Sequence, residues 1–316
     1  MTVRGLRALA AFLVATLGIA SLSGCLSLRP YAEVRASLPA ADLISVAGRL
    51  VHVEQRGPVA AEPLVLVHGF GASTYSWRFV APELSQQYRT IAIDLAGFGA
   101  TERPNDFAAY TREGQVAMLL GVLDALGIER AHWVGHSYGG ALSLTIAARH
   151  PERVRSLILI DSAAPTYPEA RRRRFARSRV ITRLALALSL RESFVRRGLA
   201  ASYFDDSLAT AETAAEYLAR LRVEGVAAAY RGLTAPNPNP GPPVDLTKIE
   251  TPTLMIWGEQ DELVAVEGAR VAAAQMPNAK LVELPQTGHS PMEERPTEVL
   301  GLAFEFLARN SQKRNP

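Results

Sequence analysis

From residue 42 onward, short runs rich in β-branched and other apolar residues alternate with stretches whose apolar positions recur every three or four residues. Two runs, "LISVAG" and "RLVHVEQRG", come first. "PLVLVHG" (63–69), "RTIAIDLAG" (89–97), "AHWVGHS" (131–137), "SLILIDS" (156–162), "TPTLMIWG" (251–258) and "AKLVELP" (279–285) follow. Several are apolar throughout, as expected of strands covered on both faces. The helix-period stretches fall at 76–86, 111–126, 139–149, 266–275 and 294–309, and Gly127 closes the second at a helix C-terminal position. Strand and helix in alternation predict an α/β fold: a mostly parallel eight-stranded sheet covered by helices.

The alternation stops between residues 163 and 248. No strand pattern appears there, several helix-period stretches do, and the segment ends in the stiff "APNPNPGPP". It is expected to be a helical cap inserted into a core made of 42–162 and 249–316. The cap opens on the basic run "RRRRFARSRVITRLALALSL", where Phe175, Val180, Ile181, Leu184 and Leu188 recur at near-helical spacing. A solvated face explains such a run, and contact with anionic lipid head groups is the sharper alternative.

The N-terminus has a different character. Arg4 and Arg7 precede an uncharged apolar stretch and the small residues of "LSGC", the parts of a secretory signal peptide over residues 1–24. Cys25 is the one cysteine, so neither an internal disulfide nor a cysteine zinc cluster is available to explain it. The sequence around it resembles a bacterial lipobox. That resemblance implies lipidation of Cys25, attachment to a bacterial membrane and, with Leu26 rather than aspartate next, an outer membrane where there are two. An uncleaved helix over 8–28 is the alternative, weakened by Gly18, Ser21, Ser23 and Gly24. Residues 25–41 show no period and are expected to be a tether.

Charge narrows the partners. Without its first 24 residues the chain carries 32 basic against 31 acidic residues, which gives no general case for nucleic acid. An apolar content of 48% is ample for a buried core.

In "WVGHSYGGA" (133–141), glycines two residues before and two after Ser137 permit a sharp strand-to-helix turn that exposes a hydroxyl. A serine hydroxyl is a weak nucleophile near neutral pH and needs a base, itself oriented by a third group. Of the six histidines, His289 in "LPQTGHSPMEE" stands just beyond the last predicted strand, where active-site loops gather in parallel sheets. His136 adjoins the serine but points away at such a turn. His52, His132 and His150 are assigned packing or surface roles. Asp261 follows the preceding strand in "WGEQDELV", and Asp161, after the strand before that, is its rival.

With "HGFG" (68–71), "DLAGFG" (94–99), "GHSYGG" (135–140), "WGEQD" (257–261) and "GH" (288–289), the chain resembles the α/β-hydrolase superfamily over about residues 42–310. The resemblance implies Ser137 as nucleophile, His289 as acid–base, Asp261 as orienting acid, and backbone N–H groups of Phe70 and Tyr138 as an oxyanion hole. The implied activity is hydrolysis of carboxylic esters, with a small-molecule or lipid ester as substrate, water as co-substrate and no cofactor or metal. Carbon–carbon bond hydrolysis of vinylogous diketones by the same triad and a receptor-like role with little turnover are the alternatives. Ala96 and Ala265 stand where relatives often carry proline. His68 and Asp94 are expected to shape loops, and Trp133 and Trp257 to be core.

Overall fold

The computed structural model describes residues 27–163, 189–235 and 241–311. Cys25, the signal segment and the basic run 171–188 lie outside the described residues, as does most of "APNPNPGPP". Eight strands form one sheet in the order β1-β2-β4-β3-β5-β6-β7-β8. β1 (Leu43–Val46) and β2 (Arg49–Arg56) make an antiparallel hairpin, with Ala47 and Gly48 both at positive φ in the turn. β2 also runs antiparallel to β4 (Arg89–Ile93). β3 (Pro63–Val67), β4, β5 (Ala131–His136), β6 (Val154–Ile160), β7 (Thr253–Gly258) and β8 (Ala279–Leu284) are parallel. The strand centre is buried on both faces, which is why these runs read as continuously apolar rather than alternating.

Helices cover both faces. One side packs α3 (Arg112–Ala125), α4 (Ser137–Arg149) and α8 (Val266–Gln275) through Leu119, Leu123, Leu142, Ile146 and Ala269. The other packs α2 (Ala81–Leu84) and α10 (Pro296–Ser311) through Leu84, Val299, Ala303 and Leu307. Trp133 and Trp257 are core residues, both almost fully buried. Gly127 takes φ +67 and Ile128 N–H bonds back to Leu123 O at 2.8 Å, ending α3 as its position predicts.

Two expectations are corrected. The 76–86 stretch is a 3₁₀ turn, Thr74–Trp77, followed by the short α2, because the segment bends to deliver Trp77 and Val80 to the core. The expected last helix is present as α10, and a separate short helix, α9 (Pro291–Glu294), precedes it, parted from it at Arg295 because Pro296 has no N–H to donate. The segment 27–41 is not a free tether. α1 (Tyr31–Ala36) buries Val34, Arg29 N–H bonds to Arg222 O at 2.9 Å, and Leu28 packs against Leu190, Leu218 and Val226. One buried residue in a six-residue helix leaves no period to read.

Between β6 and β7 the described residues are helical: α5 (Glu192–Ala200), α6 (Ala211–Leu221) and α7 (Val226–Thr234). Thr210 caps α6 through Thr213 N–H. These helices lie over the C-terminal ends of the parallel strands and roof a cavity of about 530 Å³. No helix of the described residues is long and apolar enough to cross a membrane.

Candidate active site

Ser137 follows β5 directly as the first residue of α4, at φ +49, a left-handed value that a non-glycine residue adopts only when its surroundings compel it. The neighbouring glycines show how. A Cβ on Gly139 would stand 2.2 Å from Val67 O and 2.5 Å from His68 O, and one on Gly135 would stand 2.6 Å from Gly140 Cα. α4 therefore starts pressed against β3 and β5 at a distance only glycine allows. The turn lifts the Ser137 hydroxyl into the cavity.

Two loops at the same sheet edge meet it. Ser137 Oγ–H donates to His289 Nε2 at 3.0 Å, and His289 Nδ1–H donates to Asp261 Oδ2 at 2.7 Å. Asp261 Oδ1 accepts Leu263 N–H at 2.8 Å and Val264 N–H at 2.9 Å, which fixes its carboxylate. Burial pushes this carboxyl upward, but the His289 hydrogen bond and charge and the Val264 N–H outweigh it and hold Asp261 below the usual aspartate range. Asp261 is thus the anion, and an anion at Nδ1 leaves Nε2 as the proton acceptor facing the serine.

Asp161 lies behind the pair. It is fully buried at φ +41, and its Oδ1 accepts Gly258 N–H at 3.0 Å. Burial first, then the charge of Asp261, raise its carboxyl well above the ordinary value. Of the two acids, Asp261 is the one that reaches the imidazole. Among the described residues, Asp161, Asp261 and His289 form one cluster of three groups close enough to hold a metal ion, but the facing atoms of His289 and Asp261 already bond to each other.

Phe70 and Tyr138 flank the serine. A Cβ on Gly69 would stand 3.1 Å from Ser137 Cβ, so the 69–70 turn lies against the nucleophile, and Tyr138 follows it as the second residue of α4. The Phe70 ring is half-exposed and meets Phe98 at 5.2 Å and Tyr138 at 6.5 Å, edge to face. His68 holds this turn from inside: its Nδ1–H donates to Gly69 O at 2.7 Å and its Nε2 accepts Leu95 N–H at 2.9 Å. Asp94 accepts Thr74 N–H and Ala100 N–H and bonds His52 Nδ1 at 2.7 Å, joining the turn after β3 to the one after β4.

Sequence reasoning did not find the groups that support His289. His136 Nε2–H donates to His289 O at 2.7 Å; burial, aided by the His289 charge, lowers its imidazole to about 3, so it is a neutral prop. His289 N–H donates to Ser202 O of the cap at 2.7 Å. Glu294 accepts Gly288 N–H and Phe204 N–H, and Glu293 binds Arg78 at 2.7 Å, Tyr203 OH at 2.8 Å and Tyr217 OH. The loop bearing the imidazole is therefore clamped between core and cap. The acidic pair in "PMEE" was the one visible signal.

The cavity above Ser137 is lined mainly by apolar side chains, among them Leu190, Phe194, Val226, Leu233 and Met292. Residues 62–296 match the family model for the alpha/beta hydrolase fold, and the chain belongs to that family of hydrolases. It is 34% identical over 273 residues to a 2-hydroxymuconate semialdehyde hydrolase of Pseudomonas sp. (strain CF600), covering 79% of this chain and 88% of that protein. The meta-cleavage product hydrolase CumD of Pseudomonas fluorescens IP01 superposes with a TM-score of 0.70 at 26% identity, covering 84% of this chain and 97% of the other. A membrane phospholipase A, described as a bacterial virulence factor, superposes with a TM-score of 0.69 at 26% identity, covering 98% of this chain and 99% of the other.

Proposed function

We propose that this protein is a serine hydrolase that cleaves a bond next to a carbonyl in a substrate with an apolar arm. The observation that carries the reading is the unbroken hydrogen-bond chain Ser137–His289–Asp261 on the floor of an apolar cavity. Ser137 Oγ attacks the carbonyl carbon as His289 Nε2 takes its proton. The oxyanion is received by the main-chain N–H groups of Phe70 and Tyr138, each such donor being worth about 3 kcal/mol. His289 passes the proton to the leaving group, Asp261 holds the imidazolium in place, and water repeats the sequence to release the acid.

Two leaving groups fit this machinery. Carbon–carbon bond hydrolysis, in which the leaving atom is a carbon α to a second carbonyl, has the better support from relatives, a 2-hydroxymuconate semialdehyde hydrolase and a meta-cleavage product hydrolase. Ester hydrolysis is supported by the apolar lining and by the likeness to a membrane phospholipase A along 98% of this chain. The lipobox-like "LSGC" supports a lipid anchor at Cys25 and a place in the cell envelope, with the outer membrane favoured. Turnover of a vinylogous 1,5-diketone dienoate, followed by loss of its visible absorbance, is compared with turnover of short and long acyl esters. A kcat/KM at least tenfold higher for the diketone means carbon–carbon hydrolysis, and the reverse means an esterase. Ser137→Ala is expected to lower kcat by about 10⁶-fold for either substrate; full activity in that variant would remove the reading.

A further inference from the structure

Asp161 is a buried acid that the mechanism above leaves unused. Its Oδ1 accepts Gly258 N–H, and its carboxyl shares a side-chain hydrogen bond with that of Asp261, for which a protonated Asp161 is the donor. One oxygen each from Asp161 and Asp261 and one nitrogen of His289 all lie within 4.8 Å of one another. Asp161 stands at the end of β6 and Asp261 in the loop after β7, so adjacent parallel strands present two carboxyls to one imidazole. Two carboxyls buried this close together cannot both carry a charge without a large penalty, whereas one proton shared between them satisfies both.

We propose that Asp161 and Asp261 form a single acid pair behind His289, holding one negative charge between them, in which Asp161 is a positioning residue able to take over from Asp261. The inference rests on the serine-hydrolase reading of the site. In the intact protein the charge resides on Asp261 and the proton on Asp161, in keeping with the raised carboxyl of the latter. Removal of the Asp261 side chain takes away the neighbouring charge that adds to burial in raising Asp161 and vacates the space between Asp161 and the ring, where the imidazole offers an N–H and, in the transition state, a positive charge in compensation. Asp161 then loses its proton to solvent, turns the oxygen that had faced Asp261 into that space and accepts the His289 Nδ1–H. An asparagine at 261 acts differently: it fills the space, and an amide N–H placed at Nδ1 imposes the wrong tautomer.

The experiment is a cycle of Asp261→Ala, Asp161→Asn and the double variant, with Asp261→Asn alongside, read by steady-state kinetics on the best substrate after thermal unfolding shows each to be folded. Loss of the orienting acid in a related triad costs about 10⁴-fold in kcat. Asp261→Ala with Asp161 intact is expected to lose about a hundredfold, and the double variant and Asp261→Asn the full amount of about 10⁴-fold, in kcat with KM unchanged. Asp261→Ser, which keeps an acceptor near the Leu263 and Val264 N–H groups, replaces Asp261→Ala if the latter does not fold. Equal losses in Asp261→Ala and the double variant, or losses that simply multiply, overturn the proposal while leaving the serine mechanism intact. Undiminished turnover in Ser137→Ala would instead bring down the reading on which it rests.

Discussion

Replacing Gly139 with alanine tests whether the close approach of α4 to β3 is what aligns the nucleophile. The added Cβ would stand 2.2 Å from Val67 O and 2.5 Å from His68 O, both backbone atoms held in or next to a central strand. To reach even 3.0 Å the start of α4 must move outward by about 0.8 Å, carrying Ser137 with it. The Ser137–His289 bond already spans 3.0 Å, so that displacement takes it beyond hydrogen-bonding length. Misplacement of this size costs about a hundredfold in rate, and forcing a methyl into a packed core costs about 1–3 kcal/mol of stability. Gly268, in α8, is the internal control: a Cβ there meets nothing within 4 Å, and Gly268→Ala is expected to raise stability by about 0.5–1 kcal/mol with the rate unchanged. The assays are kcat/KM on a short acyl ester or the diketone, and urea unfolding. Wild-type kcat/KM in Gly139→Ala would refute the argument, because the serine would then not depend on that contact.

Three further outcomes are expected. Burial lowers the His52 imidazole, but the charge and hydrogen bond of Asp94 outweigh it and leave its pKa raised, so the pair's contribution is complete below the ordinary histidine pKa and disappears as pH rises through the folded value. The deficit of His52→Gln in urea unfolding should accordingly be larger at pH 6 than at pH 9; an equal deficit would show that the charge is not involved. Glu293→Ala leaves the Arg78 guanidinium without its partner and frees Tyr203 and Tyr217 of the cap, a loss of about 3 kcal/mol measurable by denaturant unfolding. Cys25→Ala should abolish incorporation of a clickable palmitate analogue and release the protein from the membrane fraction, whereas retention there would favour an uncleaved helix.

The order of strands and helices was legible because each central strand is covered on both faces, and burial of that kind writes itself locally as a continuous apolar run. The glycines around Ser137 were legible for a similar reason: backbone approach below the reach of a Cβ permits no other residue. Helix ends were read less well. Whether 76–86 continues as one helix depends on how Trp77 and Val80 reach a core built from remote strands.

Residue types and their succession along the chain thus determined the sheet, its covering helices and the stock of hydroxyl, imidazole and carboxyl groups at one edge. Resemblance pointed to Asp261 over Asp161, but the residue types and their spacing left both carboxyls in play, and packed loops set which one reaches the imidazole, because both follow adjacent strands. Tertiary structure likewise decided that cap residues 202–204 grip the His289 loop and that Leu28 and Arg29 rest on the cap. Those contacts join segments tens to hundreds of residues apart, several of them through main-chain atoms that every residue carries alike, so no local pattern records them.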